Sequence, residues 1–199
     1  MLVNNAGIGE EFTLEELTPA AWERSVAINL RAPTFLAKEL KADLVSQRGA
    51  ILNVSSDGGV AGSLHGAPYG ATKAGLIGLT KTLARELAPD VRCNAIAPGP
   101  VATEMWFAID PAVQAQVMER EMPLKRIAQP EDIARAGLDI SAWPDASGIV
   151  TVMCCCKPVC LRGSYGVRLC QQRQMIRLQA RPRVRSARRW LWPRWRALA

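Results

Sequence analysis

Residues 49–73 read GAILNVSSDGGVAGSLHGAPYGATK, and three kinds of local structure follow one another in them. Ala50-Ile51-Leu52-Asn53-Val54 is a short apolar run that closes on the hydroxyls of Ser55 and Ser56. Such a run predicts a buried strand. Gly58, Gly59, Gly62 and Gly66 then predict a loop. Pro68 predicts a helix start, because the first helical turn leaves its N–H groups unpaired in any case. Tyr69 and Lys73 stand four residues apart, on one face of that helix. An ammonium beside a phenol favours phenolate, so Tyr69 is expected to titrate below the ordinary phenol value of ~10 and to act as a general acid or base. Ser56 precedes Tyr69 by 13 residues and offers a second hydroxyl. Taken alone, most such pairs are a surface tyrosine beside a solvated lysine. The rest of the chain has to decide.

Upstream, Met1-Leu2-Val3 runs into Asn4-Asn5-Ala6-Gly7, a strand end followed by a turn. Thr13 and Glu16 match a capping box, and Thr18-Pro19 offers a second helix start. Trp22, Val26, Leu30, Phe35, Leu36 and Leu40 keep near-helical spacing over residues 20–44, with Pro33 expected to kink or split the helix. Downstream, residues 68–87 predict a helix whose Ala71, Ala74, Gly75 and Gly78 admit close packing. Residues 91–97 predict a strand stopped by Pro98-Gly99-Pro100, and helical segments follow near 111–121 and 130–142. Strands alternating with helices predict a parallel α/β sheet.

Composition divides the chain. Residues 1–150 carry 13 Lys and Arg against 18 Asp and Glu, whereas residues 151–199 carry 12 basic residues and no acid. Five of the six cysteines also fall after residue 150. The domains expected are therefore 1–150 and a basic Cys/Arg/Trp-rich tail, 151–199. No secretory signal or run of about 18 apolar residues is present, so a cytoplasmic protein without a membrane span is expected.

With these motifs in order, the chain resembles the short-chain dehydrogenase/reductase family, classical type. The residues that carry the resemblance are Asn4-Asn5-Ala6-Gly7, Asn29 in Ala27-Ile28-Asn29-Leu30, Ser56, Tyr69-x-x-x-Lys73, and Pro98-Gly99-Pro100 with Thr103. It implies an NAD- or NADP-dependent oxidoreductase that interconverts a secondary alcohol and a ketone, homo-oligomeric in the family's full-length form. The catalytic residues implied are Asn29, Ser56, Tyr69 and Lys73. Tyr69 would exchange the proton, Lys73 lower its pKa and hold the nicotinamide ribose, Ser56 bond the substrate oxygen, and Asn29 hold a water. Asn5, Ala6, Gly7, Pro98, Gly99, Val101 and Thr103 would line the cofactor with Tyr69 and Lys73. No metal is implied.

Each of these residues also has a plainer reading. Asn29 fits a residue that satisfies backbone groups of a kinked helix. Thr103 fits a cap for the next helix, and His65 a polar loop residue. Met105, Trp106 and Phe107 fit either a substrate loop or the core.

Two departures from the family qualify the expectation. The strand, glycine-rich turn and helix that hold a pyrophosphate do not appear, so the fold expected is a partial Rossmann-type, doubly wound parallel sheet lacking the N-terminal dinucleotide-binding strands, inactive in this form. Beyond Gly148, the clustered cysteines and acid-free composition suggest a shifted reading frame. A non-catalytic fragment, a nucleic-acid-binding tail with Trp190, Trp192 and Trp195 among its arginines, and a zinc site at the cysteine cluster are the other readings.

Overall fold

Alternation along two adjacent strands divides the core in two. Strand β2 (Ala50–Val54) pairs in parallel with β3 (Arg92–Pro98). Successive side chains point to opposite faces. Ile51 and its register partner Cys93 pack with Ala37, Leu44, Ala84, Leu87 and Val91 on one face, whereas Leu52 and Ile96 pack with Ile140 on the other. Both faces are therefore covered by helices, as in a doubly wound sheet.

This computed structural model describes residues 1–120, 122, 126–142, 147–148, 150–153 and 176–177, with the backbone alone for residues 120, 150–153 and 176–177. Strand β1 (Leu2–Asn4) pairs in parallel with β2, and β4 (Val150–Met153) in parallel with β3. A two-residue strand, β5 (Ile176–Arg177), adds antiparallel to β4, giving the order β1-β2-β3-β4-β5. The sheet thus continues past the domain boundary expected at residue 150. The cysteine cluster 154–156, Cys160 and the tryptophans of the tail lie outside the described residues, and with them the zinc and nucleic-acid readings.

The first helical stretch is split as Pro33 predicted, but by a device the sequence did not announce. Helix α1 (Pro19–Val26) runs into a π-helical turn over Ala27–Arg31, then α2 (Ala32–Glu39) and α3 (Lys41–Ser46). In a regular helix the proline ring meets the carbonyl four residues back. The widened turn just upstream, closed by the Ala32 N–H on Ala27 O, relieves that clash. The Thr13–Glu16 capping box forms, with Glu16 N donating to Thr13 Oγ1 at 3.3 Å, yet it starts only a turn. The helix begins instead at Pro19, with Thr18 extended and its hydroxyl accepting from Ala21 N at 3.2 Å. A residue before proline is held out of the helical region, so no helix runs through Thr18.

Two further expectations are corrected. Gly58 and Gly59 lie in a short helix, α4 (Gly58–Ala61), rather than a loop. In α5 (Ala67–Glu86), Gly75 does admit close packing, since a Cβ there would stand 3.0 Å from Leu30 Cδ2, but Gly78 faces open space. Helices α6 (Glu104–Phe107), α7 (Pro111–Arg120) and α8 (Pro130–Ala142) lie between β3 and β4.

A buried polar chain joins β1, β2 and α5. Asn4 Nδ2 donates to Asn53 Oδ1 at 2.7 Å, Asn53 Nδ2 to Thr80 Oγ1 at 2.9 Å, and Thr80 Oγ1 to Leu76 O at 2.7 Å. Deleting the middle member strands its neighbours without water. The substitution Asn53→Ala is expected to destabilise the protein by about 1–3 kcal/mol in urea denaturation; an unchanged midpoint would show that the chain carries no stability.

Candidate functional site

Because β1, β2 and β3 are parallel, their carboxyl ends open on the same edge of the sheet, where such folds form a crevice. The residues that terminate β2 build its floor. Val54 O accepts from Lys73 Nζ at 2.9 Å, which places the buried ammonium at the strand end. The two serines that follow take different directions. Ser55 Oγ donates to Lys73 O at 2.8 Å, locking α5 to the strand. Ser56 faces Tyr69 across Gly58: a Cβ there would stand 3.5 Å from Ser56 Oγ and 3.6 Å from Tyr69 Cε1. Helix α4 lies directly on this turn of α5: a Cβ on Gly59 would stand 2.7 Å from Lys73 C and 2.8 Å from Ala74 N, so glycine is required there.

The loop after β1 closes the other side. Asn29, in the π-helical turn, accepts from Ile8 N at 2.8 Å and donates to Ile8 O at 2.9 Å and to Thr72 Oγ1 at 3.1 Å. It thus satisfies backbone groups, as the plainer reading held, though those of the Ile8 loop rather than of its own helix. A Cβ on Gly7 would lie 3.1 Å from Lys73 Nζ and 3.3 Å from Asn29 Oδ1, and one on Gly9 would lie 3.3 Å from the Tyr69 ring and 3.5 Å from Met105 Sδ. Asn29, Tyr69 and Lys73 are therefore brought together around the loop 7–9, and Ser56 lies with Tyr69 at Gly58.

The remaining residues divide. Asn5 and Ala6 follow β1 as exposed residues at the rim. Pro98 O accepts from Asp57 N at 2.9 Å, tying the end of β3 to the Ser56 turn; Gly99 follows it, half-buried. Val101 pairs with Ala128 in an isolated bridge. Thr103 is exposed, and its hydroxyl turns back to Val101 O at 3.3 Å instead of capping α6. His65 is exposed, contributes its carbonyl to Phe12 N at 2.6 Å and adopts a φ of 53°. Trp106 belongs to the core, whereas Met105 and Phe107 are exposed. Sequence reasoning missed Ser55, Asp57, Thr72 and Gly9; only Ser55 had a signal, as the second hydroxyl at the strand end.

The electrostatics overturn one expectation. The Tyr69 phenol is pushed above its ordinary value by burial, with the Asp57 carboxylate adding to the rise and the Ser56 bond opposing it. The Lys73 ammonium lies 5.7 Å from the ring centroid and donates to Val54 O, and burial of the phenol prevails. Burial instead lowers Lys73 itself to about 8.

A family model described as enoyl-(acyl carrier protein) reductase matches residues 1–151. The chain belongs to the short-chain dehydrogenase/reductase family. Within the family it is 38% identical over 152 residues to the acetoacetyl-CoA reductase of Synechocystis, covering 75% of this chain and 62% of that protein. It is 37% identical over 140 residues to the 3-oxoacyl-[acyl-carrier-protein] reductase of Aquifex aeolicus, 69% of this chain and 56% of that one. A crystal structure of a 3-oxoacyl-[acyl-carrier protein] reductase with bound NAD from Brucella melitensis superposes with a TM-score of 0.67 at 34% identity, over 76% of this chain and 58% of that one. The fold is the family's Rossmann-type sheet, and the chain spans about 55–62% of the length of the curated relatives it matches best.

The residues present fit the nicotinamide and ribose end of such a cofactor. The Lys73 ammonium is a cationic donor suited to ribose hydroxyls, and Gly7, where a Cβ would stand 3.1 Å from it, lets the loop after β1 close on that nitrogen.

Lys73 also gives stability a pH dependence. Its folded pKa of about 8 lies below the ordinary lysine value of 10.5, so between these the unfolded chain binds more protons and stability rises with pH, by up to about 1.4 kcal/mol per unit. Cys93, raised to about 12 by burial, works in the opposite sense from its ordinary value of 9 upward. Comparison with Lys73→Met cancels that contribution. Urea midpoints measured from pH 8 to 10 are expected to rise for the wild type relative to the variant; parallel curves would mean that folding does not lower the Lys73 pKa.

Proposed function

We propose that the chain carries the catalytic half of a short-chain reductase that converts the keto group of a 3-oxoacyl thioester to a secondary alcohol with NADH or NADPH. The observation that carries the reading is the Ser56–Tyr69 hydroxyl pair at the carboxyl end of β2, with the buried Lys73 ammonium behind it. The nicotinamide, when bound, supplies the hydride. Hydride addition to a carbonyl leaves an alkoxide, and two convergent hydroxyls are the donors that stabilise and then protonate it. Tyr69 is the proton donor, Ser56 the second donor to the substrate oxygen. Lys73 holds the ribose, together with the Gly7 cradle. Asn29 holds the loop 7–9 in place and positions a water at Lys73. Asn5 and Ala6 lie along the cofactor, and Pro98, Gly99, Val101 and Thr103 face the nicotinamide.

The thioester class is supported by the relatives, whose names include acetoacetyl-CoA reductase, 3-oxoacyl-[acyl-carrier-protein] reductase and human (3R)-3-hydroxyacyl-CoA dehydrogenase. Self-association is supported by the exposed Trp22, Phe35, Leu36 and Leu40 along α1 and α2. Among the described residues no helix is long and apolar enough to cross a membrane. The buried free thiol of Cys93 suits a reducing compartment, and we place the protein in the cytoplasm.

A non-catalytic reading is favoured by one observation. Among the described residues no glycine-rich turn leads into a helix at the end of β1, so the pyrophosphate end of the cofactor finds no set of backbone donors there. Each charge-assisted bond absent removes ~1.5–3 kcal/mol, so cofactor affinity falls by orders of magnitude. The 199-residue polypeptide alone is accordingly expected to show no measurable NADH or NADPH oxidation with acetoacetyl-CoA. Robust turnover by that polypeptide would refute this expectation.

The catalytic assignment has its own test. In a form extended upstream by the family's strand–turn–helix unit, turnover is expected, and Tyr69→Phe is expected to lower kcat by about 10²–10⁴-fold with cofactor binding retained. Full activity of that variant would remove Tyr69 from the mechanism.

A further inference from the structure

Thr72 stands on α5 between Tyr69 and Lys73, is 2% exposed, and takes no part in the chemistry proposed for those two residues. Donor and acceptor counts fix the direction of the bonds around it. The Ile8 N–H can only donate, so the Asn29 carbamoyl oxygen faces it, at 2.8 Å. The Asn29 nitrogen carries two hydrogens, which go to Ile8 O at 2.9 Å and to Thr72 Oγ1 at 3.1 Å. Thr72 Oγ1 therefore accepts from Asn29, and its single proton goes to Tyr69 O at 3.0 Å. A relay runs in this way from the loop 7–9, through the π-helical turn, to the backbone of Tyr69.

We propose that Thr72 is a positioning residue whose hydroxyl latches the loop after β1 to the first turn of α5, and so sets the distance between that loop and Tyr69. The inference rests on the reading of Tyr69 as the proton donor, but the latch exists without substrate or cofactor. Among the described residues no hydrogen bond joins loop 7–9 directly to α5, so the polar link between them passes through Asn29 and Thr72. The approach it holds is close. A Cβ on Gly9 would stand 3.3 Å from the Tyr69 ring, and one on Gly7 3.1 Å from Lys73 Nζ. At such separations a small shift of the loop either presses on the ring or withdraws from it, and a misplacement of about 1 Å at a reacting group can cost about 10²-fold in rate. Helical threonines often bond a carbonyl three or four residues back and do nothing more, as the exposed Thr82 does with Gly78 O. The Thr72 oxygen also accepts from a second element, beside the reacting residues. Thr80 makes the same pattern two turns further on, between Asn53 and Leu76 O, away from the loop. It therefore serves as the control for the loss of a buried threonine hydroxyl.

Amide hydrogen exchange in the 199-residue chain reads the latch directly. The Ile8 amide is the reporter, and the amides of β2 and β3 measure global opening. Thr72→Val keeps the shape of the side chain and removes the hydroxyl. Ile8 exchange relative to the strands is expected to rise about five- to tenfold in Thr72→Val, and to return to within about twofold of the parent in Thr72→Ser. Thr80→Val is expected to leave that ratio at the parent's value. An unchanged ratio in Thr72→Val, or an equal rise in Thr80→Val, would overturn the proposal. Should Thr72→Val not fold, Thr72→Ala takes its place in the same comparison. In the form extended upstream, Thr72→Val is expected to lower kcat with acetoacetyl-CoA about tenfold at unchanged KM for the thioester, with recovery in Thr72→Ser. A kcat equal to the parent's would overturn the positioning role even where the exchange ratio rises. Full activity of the Tyr69→Phe variant, or no turnover by the extended parent, refutes the proposed reaction instead, and the exchange ratio alone then decides on the latch.

Discussion

The bond from Lys73 Nζ to Val54 O is the constraint around which the rest is arranged. An ammonium taken out of water costs several kcal/mol unless it is paired and hydrogen-bonded. Among the described residues no carboxylate is paired with Lys73, and the depressed pKa registers the cost. The backbone is shaped to admit this charge. Ser55 holds the lysine's own carbonyl, Gly59 lets α4 lie on it, and Gly7 leaves the space beside its nitrogen. A buried charge that burial alone disfavours, maintained by contacts from three separate segments, is what a functional group looks like and not what a core requires.

The asparagine in the π-helical turn extends the same constraint. Asn29 spends both ends of its carbamoyl on the backbone of Ile8 and reaches Thr72 one turn from Tyr69. The loop after β1 is thereby fixed against the helix that carries Tyr69 and Lys73. The turn is widened where Pro33 demands it, so a feature that relieves a steric clash also sets the reach of the side chain beside it.

The sequence disclosed what depends on local pattern. β2 was legible because its run is short, apolar and bounded, and α5 because Pro68 and the helical spacing of Tyr69 and Lys73 mark its first turns. The convergence of Asn29, Ser56, Tyr69 and Lys73 was legible through the order of the family's motifs. What depends on a distant neighbour was not. The capping box at Thr13 formed without a helix because Pro19 forbids one to pass Thr18. The glycines of α4 looked like loop residues because their purpose, room for the Lys73 backbone, lies on another helix. The choice between Ser55 and Ser56 is a matter of which way each side chain leaves the strand end.

The expectation for Tyr69 failed for the most instructive reason. Spacing puts the lysine on the right face, but a charge acts through the distance to the oxygen and through what else competes for it. Here the ammonium is spent on a carbonyl, the phenol is buried, and the one carboxylate nearby has the wrong sign to help. The two partners shift in opposite directions, lysine down and tyrosine up, so raising the pH neutralises Lys73 before Tyr69 ionises. The phenolate–ammonium pair that the motif suggests is thus not the resting state of this chain. Burial favours a neutral phenol. Any base chemistry at this site therefore needs a further ligand or a rearrangement that brings hydrogen-bond donors or positive charge to the phenol oxygen, whereas acid chemistry needs only a substrate oxygen within reach of the phenol.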